Sequence, residues 1–162
     1  MGWLLRSPAP TPSYGGRAEI SFSTAIRVYF QDTDAGKVVY HGAYLNFLER
    51  ARTEWLRQLG FGQPQLMQQF GVMFIVRSVE MKFMRPARLD DLVDVSVGVS
   101  RMGRAQLDLA QTVARQETAL VRANINLACV CADTLRPKPL PGEIETIVSR
   151  ASGVTTNKRK TK

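Results

Sequence analysis

Gly42-Ala43-Tyr44-Leu45-Asn46-Phe47-Leu48-Glu49-Arg50-Ala51-Arg52-Thr53-Glu54-Trp55-Leu56-Arg57-Gln58-Leu59 is the stretch on which the fold turns. Tyr44, Leu45, Leu48, Ala51, Trp55, Leu56 and Leu59 recur three or four residues apart, with Glu49, Arg50, Arg52, Glu54 and Arg57 between them. That spacing predicts one amphipathic helix of about five turns, its apolar stripe turned to a core. Gly60 follows and tolerates the left-handed backbone in which helices stop. Residues 64–70 predict a short second helix, with Pro64 in its first turn.

On either side the period changes to two. Residues 25–31 place Ile26, Val28 and Phe30 on one face, a strand ahead of the long helix. After it, residues 73–85 are rich in strand-forming types. Residues 93–101 alternate Val93, Val95, Val97 and Val99 with polar or small residues. Met102-Gly103 reads as a hairpin turn. Residues 105–115 alternate through Leu107, Leu109, Gln111 and Val113. Gln116-Glu117-Thr118 turns the chain again into a last strand over residues 120–132, and residues 143–150 predict a terminal helix. Tight turns imply antiparallel pairing. One helix against one antiparallel sheet is a two-layer α+β domain.

The chain of 162 residues suits a single domain with a real core, and its 44% hydrophobic content argues against disorder. We expect residues 1–24 to be a flexible extension rich in Pro, Ser and Gly, residues 25–150 to be the domain, and residues 151–162 to be a basic flexible tail. Net charge is +8, but Lys158, Arg159, Lys160 and Lys162 supply half of it. The charge therefore argues for a solvated tail and a mildly basic body suited to a phosphate-bearing ligand, and against nucleic acid as the partner. No apolar run is long enough to cross a membrane. The Trp3-Leu4-Leu5 cluster is followed at once by Arg6 and prolines, which is not a secretion signal, so a cytoplasmic location is expected. Cys129 and Cys131 are expected to be reduced, buried thiols. The single histidine, His41, excludes a multi-histidine metal site, and no metal or cofactor is expected.

Reactive groups are densest in Asp32-Thr33-Asp34-Ala35-Gly36-Lys37-Val38-Val39-Tyr40-His41, between the first strand and the long helix. A helix start offers unpaired N–H groups and the positive end of a dipole, which can hold an oxyanion. A nearby carboxylate can serve as base toward water or as nucleophile. Together they can carry acyl transfer without a metal. On the residues alone, Asp34 is equally well a turn-former, and His41 equally well a cap or a polar contact. A calcium loop is disfavoured because the twelfth position from Asp32 is Ala43 rather than an acid.

The run Tyr29-Phe30-Gln31-Asp32-Thr33-Asp34-Ala35-Gly36-Lys37-Val38-Val39-Tyr40-His41-Gly42-Ala43-Tyr44-Leu45, followed by Glu49-Arg50-Ala51-Arg52, resembles the signature of the 4-hydroxybenzoyl-CoA thioesterase family. The nearest likeness is to its YbgC subgroup, the Tol-Pal-associated acyl-CoA thioesterases of bacteria. It continues through Phe83-Met84-Arg85-Pro86-Ala87-Arg88-Leu89-Asp90-Asp91 and more weakly to Lys138-Pro139. The resemblance implies a hotdog fold, with the sheet wrapped around the long central helix. It also implies homodimers, often paired into homotetramers, with active sites at the dimer interface. It makes Asp34 the catalytic carboxylate and His41 a second functional residue. It places the oxyanion contact at the His41 and Gly42 amides, with Tyr40 and Gly42 as substrate-binding positions. The implied substrate is an acyl-CoA thioester, with acyl carrier protein as a further partner. Arg85 and Arg88 are candidates for the CoA phosphates, or equally for ion pairs with Asp90 or Asp91. The alternative from another class is a non-catalytic acyl-CoA-binding or scaffold protein of the cell envelope.

Overall fold

The structure, a computed structural model, describes residues 19–156. The expected extension up to residue 18 and the basic residues from Lys158 onward lie outside the described residues. Strand β1 (Ile20–Arg27) leads through a short 3-10 turn (Phe30–Asp32) to helix α1 (Ala43–Gln58). A helical turn α2 (Gln63–Gln65) runs on as a π-helical turn (Leu66–Phe70). Strands β2 (Val72–Phe83), β3 (Leu92–Met102), β4 (Gln106–Arg115) and β5 (Thr118–Cys131) follow, and helix α3 (Gly142–Ser152) ends the order.

The five strands form one antiparallel sheet in the order β1-β3-β4-β5-β2. The α+β expectation holds. The strand order departs from chain order because the 84–91 connection carries the chain from one edge of the sheet back across to β3. β1 and β2 are thereby the two edge strands.

Several expectations need correction. β1 starts at Ile20, so residues 20–24, assigned above to the extension, belong to the sheet. It ends at Arg27, because Val28 bonds instead to the 84–91 loop: its N–H donates to Asp91 O and its C=O accepts from Asp90 N–H. Phe30, expected on a strand face shared with Ile26 and Val28, lies in the 3-10 turn and is 81% exposed. At the other end α3 runs to Ser152, and Thr156 bridges Met102, so order persists past residue 150. Lastly, Cys129 is buried but Cys131, at the end of β5, is only partly covered. Burial pushes the Cys129 thiol up to about 11. Hydrogen bonds from the Thr134 hydroxyl and amide, and then the Asp133 amide, hold the Cys131 thiol below its ordinary value.

Helix α1 packs on β1, β3 and β4. Phe47, Leu48 and Trp55 are at most 1% exposed, and each such side chain contributes about 1.5–3 kcal/mol on removal from water. Leu45, counted in the stripe, instead faces outward and Phe47 fills the core. The seam between helix and sheet is stitched by Gln111. Its Nε2 donates to Leu48 O (3.2 Å) and Ser96 O (3.3 Å), while its Oε1 accepts from Arg52 (2.9 Å). Burial pulls the pKa of Arg52 down, an effect that nearby Glu49 opposes.

Candidate active site

The two aspartates of the Asp32-Thr33-Asp34 run do different work. Asp32 is 5% exposed. Its Oδ2 accepts the Tyr29 N–H at 2.8 Å, its own N–H donates to Tyr29 O at 3.0 Å, and its C=O accepts from Tyr40 N–H at 2.8 Å. Thr33 adds two bonds to Phe30 O, from its amide (3.1 Å) and its hydroxyl (2.8 Å). Asp32 is therefore the internal fastener of the turn, as short polar side chains often are.

Asp34 is exposed and sits one turn further on. Its N–H donates to Val38 O (3.1 Å), and its C=O accepts from Lys37 N–H (2.9 Å). Lys37 takes the left-handed backbone at φ 60°. The Asp34 carboxylate accepts the Gly36 N–H at 2.8 Å through Oδ1. A Cβ at position 36 would come within 3.0 Å of that oxygen, so glycine leaves the carboxylate room to lie against the turn. One oxygen is thus anchored, and Oδ2 is left to face outward with no hydrogen-bond partner among the described residues.

The chain then enters α1. Gly42 is the N-cap with helical angles (φ −68°, ψ −26°) and no side-chain cap. Ala43 N–H donates to Tyr40 O (2.9 Å). Among the described residues, the His41 and Gly42 amides find no acceptor. An uncapped helix start leaves such donors and the positive end of the dipole available to an incoming oxygen. The Tyr40 ring lies over Gly42: a Cβ there would come within 2.5 Å of Tyr40 Cε1. Tyr40 also packs on His41, ring centroids 4.3 Å apart and planes tilted by 52°. His41 is exposed and precedes the Gly42 N-cap.

The structure thus places Asp34, Tyr40, His41 and Gly42 on one segment whose two ends are fastened by backbone bonds. It forms no hydrogen bond between Asp34 and His41. Arg85 and Arg88 do not pair with Asp90 or Asp91 through their guanidinium groups. Asp91 pairs instead with Arg115 at 2.7 Å and accepts the Arg88 backbone N–H at 2.8 Å. Among the described residues no three His, Cys, Asp or Glu side chains gather as a metal site needs.

Sequence reasoning read Tyr44 as core only. It is buried, but its hydroxyl accepts the Ala87 N–H at 2.9 Å, and Ala87 O accepts from Val39 N–H at 2.8 Å. The available signal was a phenol in an apolar stripe, since a buried tyrosine hydroxyl requires a partner.

Known proteins bear on this geometry. The thioesterase superfamily matches residues 36–122. The chain is 40% identical over 124 residues to the acyl-CoA thioesterase YbgC of Haemophilus influenzae, covering 76% of this chain and 91% of that protein. It is also 40% identical over 124 residues to the acyl-CoA thioester hydrolase YbgC of Escherichia coli O6:H1, covering 76% and 92%. Among solved structures, a probable thioesterase from Bartonella henselae superposes with a TM-score of 0.71 at 36% identity, covering 74% of this chain and 98% of that one.

Proposed function

From a chain that belongs to the thioesterase superfamily, in its YbgC subgroup and with its hotdog fold, we propose that Asp34 and the first amides of α1 are the machinery of acyl-CoA hydrolysis. The enzyme is an acyl-CoA thioester hydrolase. In the proposed mechanism the thioester carbonyl oxygen docks at the His41 and Gly42 N–H groups, which strengthen their hold as negative charge grows on it. Asp34 acts through its outward oxygen, as base toward a water molecule or as direct nucleophile. As base, it takes one proton from the water, whose oxygen bonds to the carbonyl carbon. The tetrahedral oxyanion then collapses, the C–S bond breaks, and the electron pair leaves on the CoA thiolate. As nucleophile, its oxygen bonds to the carbonyl carbon, the C–S bond breaks and CoA thiolate leaves, and water then opens the mixed anhydride to the free acid and the restored carboxylate. His41 assists by orienting water or substrate near neutral pH, with Tyr40 forming the wall beside it.

The observation that carries this reading is the uncapped start of α1, with two unspent amides directly following the anchored carboxylate turn. A homodimer completes the site. β2 is an edge strand with Val76, Val79 and Phe83 exposed by 38–51%. A long apolar edge of this kind invites pairing with a second copy. Pairing there would cover Val76, Val79 and Phe83, and the Phe83 ring meets Tyr44 of α1 at 5.8 Å. The reading places the enzyme in the cytoplasm, where free thiols such as Cys129 and Cys131 persist.

The test is thiol release from a panel of acyl-CoAs, acetyl to palmitoyl plus benzoyl, with sedimentation in parallel. Hydrolysis of at least one by a sedimenting dimer supports the reading. A monomer that is fully active would overturn the dimer-completed site. A single turnover in 18O-water tests the nucleophile: label appearing in the Asp34 carboxylate marks an Asp34 anhydride opened by water at the Asp34 carbonyl, whereas label confined to the product acid fits the base route and an anhydride opened at its acyl carbon alike.

A further inference from the structure

We propose that Tyr44 is a positioning residue for the Asp34 site, its hydroxyl setting the spacing between the start of α1 and the carboxylate turn through the Ala87 peptide. The proposal rests on the reading of Asp34 given above and adds a residue to it.

The geometry is a three-part clamp. Tyr44 lies in the first turn of α1, two residues after the Gly42 N-cap. Its hydroxyl accepts the Ala87 N–H at 2.9 Å. The other side of the Ala87 residue accepts the Val39 N–H at 2.8 Å. Val39 in turn bridges Thr33, and its neighbour Val38 accepts the Asp34 N–H at 3.1 Å. Both backbone polar groups of Ala87 are therefore spent on the two halves of the site, one on the helix and one on the turn. Ala87 is fully buried, so water does not compete for either bond.

Core packing alone does not ask for a hydroxyl at position 44. The ring meets Phe47 and Phe83 edge-on, at 5.9 Å and 5.8 Å, contacts that phenylalanine would make as well. Those contacts fix the ring, and so fix where the oxygen stands. Burying a hydroxyl is costly unless it is bonded. Here its bond goes to the one residue that also holds Val39. The rest of the 84–91 loop is tied elsewhere: Met84 and Arg85 N–H groups both donate to Leu120 O, and Val28 holds the Asp90–Asp91 end. Without the hydroxyl, the loop keeps its sheet anchors but loses its link to the helix. The amides that hold the oxyanion and the Asp34 carboxylate then drift relative to each other. Shifts well below an ångström matter to a reaction that depends on alignment.

The experiment is Tyr44→Phe in the full chain, assayed on an acyl-CoA that the wild type hydrolyses, beside Asp34→Asn and the double variant. Val148→Ala, a buried substitution on α3, serves as a control for loss of stability alone. We expect kcat to fall about tenfold in Tyr44→Phe with KM within about twofold. Amide exchange at Val39 should quicken, and the Val148→Ala control should keep its kcat. The double variant should be no slower than Asp34→Asn, because a residue acting through Asp34 has nothing left to position. A Tyr44→Phe enzyme with wild-type kcat, a change confined to KM, or a loss fully additive with Asp34→Asn would each overturn the proposal. Unimpaired turnover by Asp34→Asn would instead sink the reading of Asp34 itself, so the two failures are told apart.

Discussion

Asp32→Ala should destabilise the protein while leaving its chemistry largely in place. The Asp32 side chain is 5% exposed, and its single strong contact is the 2.8 Å bond from the Tyr29 N–H. Hydrogen bonds to a charged group contribute about 1.5–3 kcal/mol, and removal of an aspartate that closes a turn or cap costs about 0.5–2 kcal/mol. Tyr29 itself is well exposed, so water recovers part of the loss. The overlap of the two ranges, about 1.5–2 kcal/mol, is the expected cost. For a domain of this size each kcal/mol lowers Tm by roughly 3 °C, giving a drop of about 5 °C. The bond from Tyr40 N–H to the Asp32 C=O is made by the backbone and survives the substitution, so kcat should stay within about tenfold of wild type. Thermal melts by circular dichroism and thiol release on the same preparation supply both readings. An unchanged Tm with a kcat loss beyond about a hundredfold would refute the reasoning, since Asp32 would then be a reacting carboxylate and not a fastener.

Other expectations follow from the same geometry. Phe47→Ala removes a fully buried ring between helix and sheet and should cost about 3–5 kcal/mol in urea unfolding; a cost below about 1 kcal/mol would mean the core is not built around α1. Val79→Lys on the β2 edge should set like charges against each other across a two-fold seam and give monomers with reduced activity by sedimentation and assay; a stable dimer would place the interface elsewhere. Iodoacetamide should label Cys131 before Cys129 at mildly alkaline pH, because hydrogen bonds lower the first thiol and burial raises the second to about 11. The sign runs with the thiolate: as pH falls, Cys131 keeps its reactivity longer. Equal labelling by mass spectrometry would contradict it.

Periodicity revealed the helix to within a residue at each end, because a sixteen-residue amphipathic pattern leaves few alternatives. It failed where tertiary bonds override pattern. The alternation through Ile26, Val28 and Phe30 reads as one strand, yet Val28 is claimed by the 84–91 loop and the chain turns at Tyr29. Leu45 and Phe47 flank the apolar stripe on opposite sides, about 200° apart around the helix, and only packing decides which flank is buried. Strand order was illegible, since nothing local records that the 84–91 connection crosses the sheet. At the site, the Asp-x-Asp run pointed to the right segment but not to the division of labour between a buried Asp32 and an exposed Asp34. That division depends on which carboxylate the Tyr29 amide reaches. The Tyr44–Ala87–Val39 link joins residues more than forty positions apart and is visible only in three dimensions.

The most direct test of the whole account is kcat for Asp34→Asn against wild type on the best acyl-CoA substrate, with the melt of each recorded alongside. Asp34 is exposed and holds only the Gly36 N–H, so Tm should move by no more than about 2 °C. Removal of the reacting carboxylate should lower kcat by about 10²–10⁴-fold. A variant that melts like wild type and hydrolyses like wild type would contradict the account, and would leave the amides at the start of α1 without the carboxylate assigned to them.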